Sequence, residues 1–153
     1  MRKSPLLVSI CLVLSAAWIA AAWTASAAGP LQFVERGGGI TFVDNAPKAR
    51  HQYDFSPGDI VIVTRNLFTK SGAHAGTLRL VCVATTPTAQ HCSGSETLKK
   101  GTLEFDGDSG PTPVTTVAVV GGTGAYAGAR GTSTSTDRKG AGDVADQVIR
   151  FTR

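Results

Sequence analysis

Few side chains in this sequence have chemistry in reach. Arg65 lies in the β-branched run 59–68, DIVIVTRNLF, which alternates between two faces. One face carries Ile60, Ile62, Thr64, Asn66 and Phe68; the other carries Val61, Val63, Arg65 and Leu67. The sequence leaves open which face turns inward. An inward Arg65 would orient a ligand carboxylate or phenolate by a charge-assisted hydrogen bond; an outward one is an ordinary surface cation. Tyr126 and Arg130 belong to a glycine-rich stretch, 119–131, VVGGTGAYAGARG. Tyr126 could donate its hydroxyl to a ligand or cover the turn as a packed ring, and Arg130 could meet a ligand or tie the turn down. Asp44, Tyr53 and Asp54 fall in a long loop over 44–57, where an acid serves as a general base or is simply solvated. Ser109, in Gly-Asp-Ser-Gly, has the look of a hydrolase fragment. With no histidine partner or oxyanion turn to go with it, it reads as loop. Asp59, after Pro57-Gly58, reads as a turn residue. The three histidines, His51, His74 and His91, are scattered and expected on the surface.

The glycines at 119–131 fit a G-x-G-x-x-A pattern that could cradle a phosphate. Such a turn needs a helix behind it, with its N-terminus facing the pyrophosphate. Here Gly128, Gly131 and the run Thr132-Ser133-Thr134-Ser135-Thr136 follow, which is poor helix material. No βαβ unit can be assembled around it, and Asp143 downstream is a single loop acid. Gly121, Gly122, Gly124 and Gly131 therefore read as a sharp turn in a sheet, needing positive φ and close backbone approach. No cofactor is expected.

Residues 1–27 read as a cleaved secretory signal peptide: Arg2-Lys3, an apolar run over 6–22, and Ala25-Ser26-Ala27 before the cut. An uncleaved anchor is the rival, because the run approaches spanning length. The remaining domain is 28–153. Removing 27 of 153 residues leaves 126, enough for one core. Losing Arg2 and Lys3 takes Lys plus Arg from 15 to 13 against 11 acids, so the formal charge falls from +4 to +2. With no long basic run or interleaved aromatics, nucleic-acid binding has little support. Cys82 and Cys92 then form an even pair, read as a disulfide in an exported protein. Zinc with His74 and His91 is the alternative, but the spacing fits no common framework, so no metal is expected.

The rest of the chain is strand and turn: 77–84, 101–105, 114–120, 130–136 and 144–152, with a first strand over 33–43 kinked at Gly37-Gly38-Gly39. Asp106 to Gly110 reads as turn. Many short strands and no capped helical period indicate a sandwich or a closed antiparallel barrel.

The glycine stretch resembles the signature turn of the dirigent proteins and of the related bacterial allene oxide cyclase barrel-like proteins. Gly58-Asp59-Ile60-Val61-Ile62, then GTLRLVCV, His91-Cys92 and LKKGTLEFDG follow in the order of the bacterial members, so the resemblance covers 58–131 and a final strand. It implies an all-β, closed eight-stranded antiparallel β-barrel with a mostly apolar cavity. It also implies chemistry by confinement: stereoselective coupling of phenoxy radicals in plant dirigent proteins, cyclisation of a reactive epoxide in allene oxide cyclases. The plant coupling type carries an acid directly after Gly-Gly-Thr-Gly; here Ala125 stands there, which puts quinone-methide proton chemistry in doubt.

These readings point to a secreted barrel that binds a small apolar or phenolic molecule and guides its cyclisation or coupling, with Tyr126, Arg130, Arg65 and Asp44 as candidate ligand contacts. If it is an enzyme, it is an isomerase or cyclase of the allene oxide cyclase-like type. The alternative is a non-catalytic, lipocalin-like carrier or extracellular interaction module. A homo-oligomer is expected by analogy only.

Overall fold

The computed structural model describes residues 29–45 and 55–152. The predicted leader, His51, Tyr53 and Asp54 lie outside the described residues. The chain forms β1 (Leu31–Val43), β2 (Ile60–Phe68), β3 (His74–Thr86), β4 (Ala89–Leu98), β5 (Gly101–Ser109), β6 (Val114–Gly122), β7 (Gly131–Asp137) and β8 (Val144–Phe151). Each strand pairs antiparallel with the next, and β1 also pairs with β8, so the sheet closes into an eight-stranded barrel rather than a sandwich. Among the described residues no helix is long and apolar enough to cross a membrane.

Two segments correct the sequence reading. AQHCSGSETL, which was not among the strands named from sequence, is β4, paired along its length with β3 and β5. Asp106–Ser109, read as turn, continues β5 in register as far as Gln90↔Ser109. Serine, glycine and aspartate have low strand preference, but a ladder on both sides overrides it. Cys82 and Cys92 face each other across β3 and β4 and are joined by a disulfide.

Alternation along each strand sends one face into the barrel. On β2 the inward face is Val61, Val63, Arg65 and Leu67. One end of the barrel is filled by Leu67, Leu78, Leu98, Leu103, Phe105, Val119 and Ile149 in a single cluster. The turns β2–β3, β4–β5 and β6–β7 lie at this end. The glycine stretch forms the β6–β7 turn, with a single 3-10 turn at Gly124–Tyr126. It folds back on the β4–β5 turn: the Ala125 N–H donates to Lys100 O at 2.8 Å, and the Thr102 and Thr123 hydroxyls meet at 2.7 Å. Gly124 has φ +57°, and a Cβ there would lie 2.5 Å from Lys100 O.

β1 carries the kink anticipated from its glycines. Its register with β2 shifts between Arg36 and Gly38, leaving Gly37, at φ +60°, as the extra residue of a bulge. Gly38 has φ +106°, and a Cβ would come within 2.1 Å of Thr64 O. Gly38→Ala should therefore lower the urea midpoint by about 2 kcal/mol or more in stability. Gly39→Ala, which meets nothing within 4 Å, should stay within about 0.5 kcal/mol. Equal effects of the two would show that the close approach at Gly38 does not constrain the barrel.

Candidate functional site

The other half of the barrel is not filled. The β1–β2, β3–β4, β5–β6 and β7–β8 connections surround its mouth, and inside lies a cavity of about 430 Å³. Val63, Leu78, Leu80, Phe105, Val117 and the Cys82–Cys92 bridge form its apolar wall. Small residues leave the room: Ser109 on β5, Thr115 on β6, Ser133 and Ser135 on β7, Ala145 on β8. At the mouth, Asp59 is fully buried and accepts the backbone N–H groups of Asn45 (2.8 Å) and Ser56 (2.7 Å), which pins both ends of the β1–β2 connection. Phe55 from that connection packs edge-to-face on Phe42 at 5.7 Å, over Val61 and the disulfide.

Polar groups are concentrated between the cavity and the filled end. Glu96 on β4 is 0 % exposed. The Gln147 side-chain amide donates to Glu96 Oε1 and, at 3.1 Å, to Ser133 Oγ. Burial pushes the Glu96 carboxyl up to about 8, against the downward pull of the Gln147 bond, and the nearby Glu35 adds to the rise. At neutral pH Glu96 is thus mostly a neutral acid. Glu35 on β1 is also buried and accepts the Ser135 hydroxyl at 2.9 Å. Burial raises its pKa; Ser135 and Arg65 pull it down, while Asp137 and Asp143 push it up. Arg65, 16 % exposed, reaches across to Asp143 in the β7–β8 connection, with Nη1 2.5 Å from Oδ2.

Of the residues singled out from sequence, the structure brings Arg65 to the cavity, on the inward face. Tyr126 and Arg130 sit in the β6–β7 turn at the opposite end. Tyr126 stacks on Phe151, with ring centroids 6.4 Å apart, and Arg130 is exposed and donates to Ala129 O at 2.8 Å. Asp44 is half-buried beside the mouth and does not border the cavity. Ser109, read as loop, ends β5 and borders the cavity, its hydroxyl 3.2 Å from that of Thr115. Asp59, read as a turn residue, is the anchor just described. His74 and His91 are exposed, as expected; His91 spans Asp106 and Asp108 on the outer face of β5, at 3.3 and 2.9 Å. Among the described residues no cluster of three or more potential ligands could hold a metal.

Glu35, Glu96, Gln147, Ser133 and Ser135 were not singled out from sequence. A signal existed for two of them. A bridged Cys92 must point towards Cys82, and counting by twos along β4 passes Gly94 to Glu96. Counting back from Ile149 reaches Gln147 in the same way.

No family model and no curated protein matches the chain. Solved structures do. A pyocyanin demethylase superposes with a TM-score of 0.69 at 20 % identity, covering 80 % of this chain and 99 % of that one. A pterocarpan synthase dirigent protein gives 0.62 at 17 %, covering 78 % and 81 %. A Diels–Alderase from Streptomyces koyangensis gives 0.59 at 12 %, covering 80 % and 64 %. At these identities the likeness is one of fold, shared with dirigent and cyclase barrels.

Glu96 gives the site a pH signature. Its pKa in the fold, about 8, exceeds the ordinary value of 4.5, so the folded state binds the proton more tightly than the unfolded chain. Stability must then fall as pH rises between the two values, by of order 1 kcal/mol per pH unit from this group. Glu96→Gln should flatten that slope and be the more stable protein above pH 8. Urea midpoints across the range test this; parallel slopes would place Glu96 in a far more polar setting.

Proposed function

We propose that this barrel binds a small, largely apolar or phenolic organic molecule in its lumen and guides cyclisation or coupling of that molecule by confinement. The observation that carries the reading is the cavity of about 430 Å³, walled by apolar side chains on a closed sheet and bordered by the buried carboxyl of Glu35. Its volume falls in the range of small-molecule sites. A closed ladder gives the walls little freedom, so a bound molecule keeps few of its conformers, and ring closure or coupling then proceeds from the one retained. The demethylase, dirigent and Diels–Alderase neighbours support a barrel that works on small organic molecules. We place the protein outside the cytoplasm, cut after Ala27, with 28–153 as the working domain; the Cys82–Cys92 bridge supports this, since disulfides persist in oxidising compartments.

The test begins with native mass spectrometry of the protein secreted by its own host, to find a retained small molecule, followed by product analysis with and without the protein. Val117→Trp places a large ring in the cavity. It should abolish ligand retention, by about tenfold or more in affinity, while the far-ultraviolet spectrum stays that of a β-barrel. A product whose stereochemistry depends on the wild-type protein supports guidance. Retention without any change in product makes the barrel a carrier, and Val117→Trp retaining the ligand fully would remove the lumen as the binding site.

A further inference from the structure

The proposed function leaves open the charge of the molecule that the lumen accepts, and the following inference rests on that function. Among the described residues, the cavity is bordered by three carboxyl groups, Glu35, Asp137 and Asp143, against one guanidinium, Arg65, and by no lysine or histidine. Arg65 is the group expected to hold an anionic ligand, but its Nη1 is already paired with Asp143 at 2.5 Å. A ligand carboxylate would share the guanidinium with Asp143 and would still face Asp137 and Glu35. An independent feature points the same way. Gln147, 3 % exposed and bordering the cavity, has an amide oxygen with no hydrogen-bond partner, and so does Gln90 on the opposite wall. Unpaired buried acceptors are costly, and what they lack is a donor.

We propose that the cavity takes an apolar ring system carrying a protonated amine, with the Glu35 carboxylate as its counter-charge. Apolar rings meet Val63, Leu80, Phe105 and Val117, while an ammonium group brings a positive charge to the carboxyls of this lining and N–H donors to its acceptors. A buried charge is tolerated only when paired, and Glu35 is the buried acid of the three. It faces Arg65 from β2, Ser135 and Asp137 from β7, Asp143 from the β7–β8 connection and Glu96 from β4. In the empty barrel, burial favours its neutral form. An arriving cation acts in the same direction as Arg65 and lowers the carboxyl pKa. Affinity therefore rises with pH through the Glu35 titration until the amine itself loses its charge.

Isothermal titration calorimetry of the secreted, bridged protein tests this with three probes on one skeleton: 1-naphthylmethylamine, 1-naphthylmethanol and 1-naphthoate, at neutral pH. The amine should bind at least about tenfold tighter than the carboxylate, and only the amine's affinity should rise with pH through the Glu35 titration, read by repeating the titrations over a pH series. Glu35→Gln should bring the amine down to the affinity of the alcohol and remove that pH dependence. Asp143→Asn, a change at a side chain that is 55 % exposed, should free Arg65 and shift preference towards 1-naphthoate. Equal binding of the three, or preference for the carboxylate by the wild type, overturns the inference and leaves the lumen as the ligand site. Failure of all three to bind overturns the lumen reading along with it.

Discussion

β1 is bonded along one edge to β8, as far as Arg36, and along the other to β2, as far as Val43. The extra residue at Gly37 lets one strand serve two partners over different stretches, and Gly38 brings its backbone against Thr64. Without that sharing, β2 and β8 would each present an unpaired edge and the sheet would have no inside. With it, every second residue of eight strands is committed to a lumen that is just wide enough for side chains to fill. Whether the lumen is full then depends on side-chain size at each level. Leucine, isoleucine and phenylalanine fill one end; serine, threonine and alanine leave the other open. GTSTSTD, which in an open sheet would be an unremarkable polar strand, is β7 and supplies much of that room.

The boundary between the two halves is where the local rules of a protein interior are broken. Glu96, Gln147, Ser133 and Glu35 are all buried there, yet Glu96 Oε2 and Gln147 Oε1 have no partner. An unsatisfied buried polar atom costs about 1–3 kcal/mol, and an apolar residue at position 96 would avoid the cost while extending the core of Leu98 and Leu103. Departures of this kind are expected where a site needs them. The network places two buried acids, both with raised pKa, at the border of an apolar cavity, where a nearby charge shifts their ionisation.

Much of this architecture was legible because it follows from period and turn chemistry. The two faces of 59–68, the glycine kink in β1, the Cys82–Cys92 pairing and the sheet-turn reading of 119–131 all rest on local residue patterns. What escaped depends on closure. A lone glutamate in an alternating run, such as Glu35 after Leu31 and Phe33, has no local mark of being inside; only the barrel places it there. The end at which each turn lies also depends on closure. In an up-and-down barrel successive turns alternate between the two ends, so the β6–β7 turn falls beside β2–β3 and β4–β5, at the filled base. Tyr126 and Arg130 go with it, away from the cavity.

That division gives the two ends different work and explains where the strongest restraints lie. The base is held by close packing, and its glycine turn only has to fit against the β4–β5 turn. The open half has only the small cluster of Val61, the bridge, Phe42 and Phe55 to hold its walls among the described residues, and a cavity that selects a ligand needs walls that do not move. The covalent bridge lies in that wall, joining β3 and β4 where their side chains border empty space. Asp59 ties both ends of the longest connection to the rim, and Phe42 with Phe55 covers the bridge from the mouth side. The Arg65–Asp143 pair then spans from β2 to the β7–β8 connection, across the stretch where β1 has parted from β8. Its charges therefore act at once on the shape of the mouth and on the ionisation of Glu35 below it, so any ligand that competes for either partner changes both.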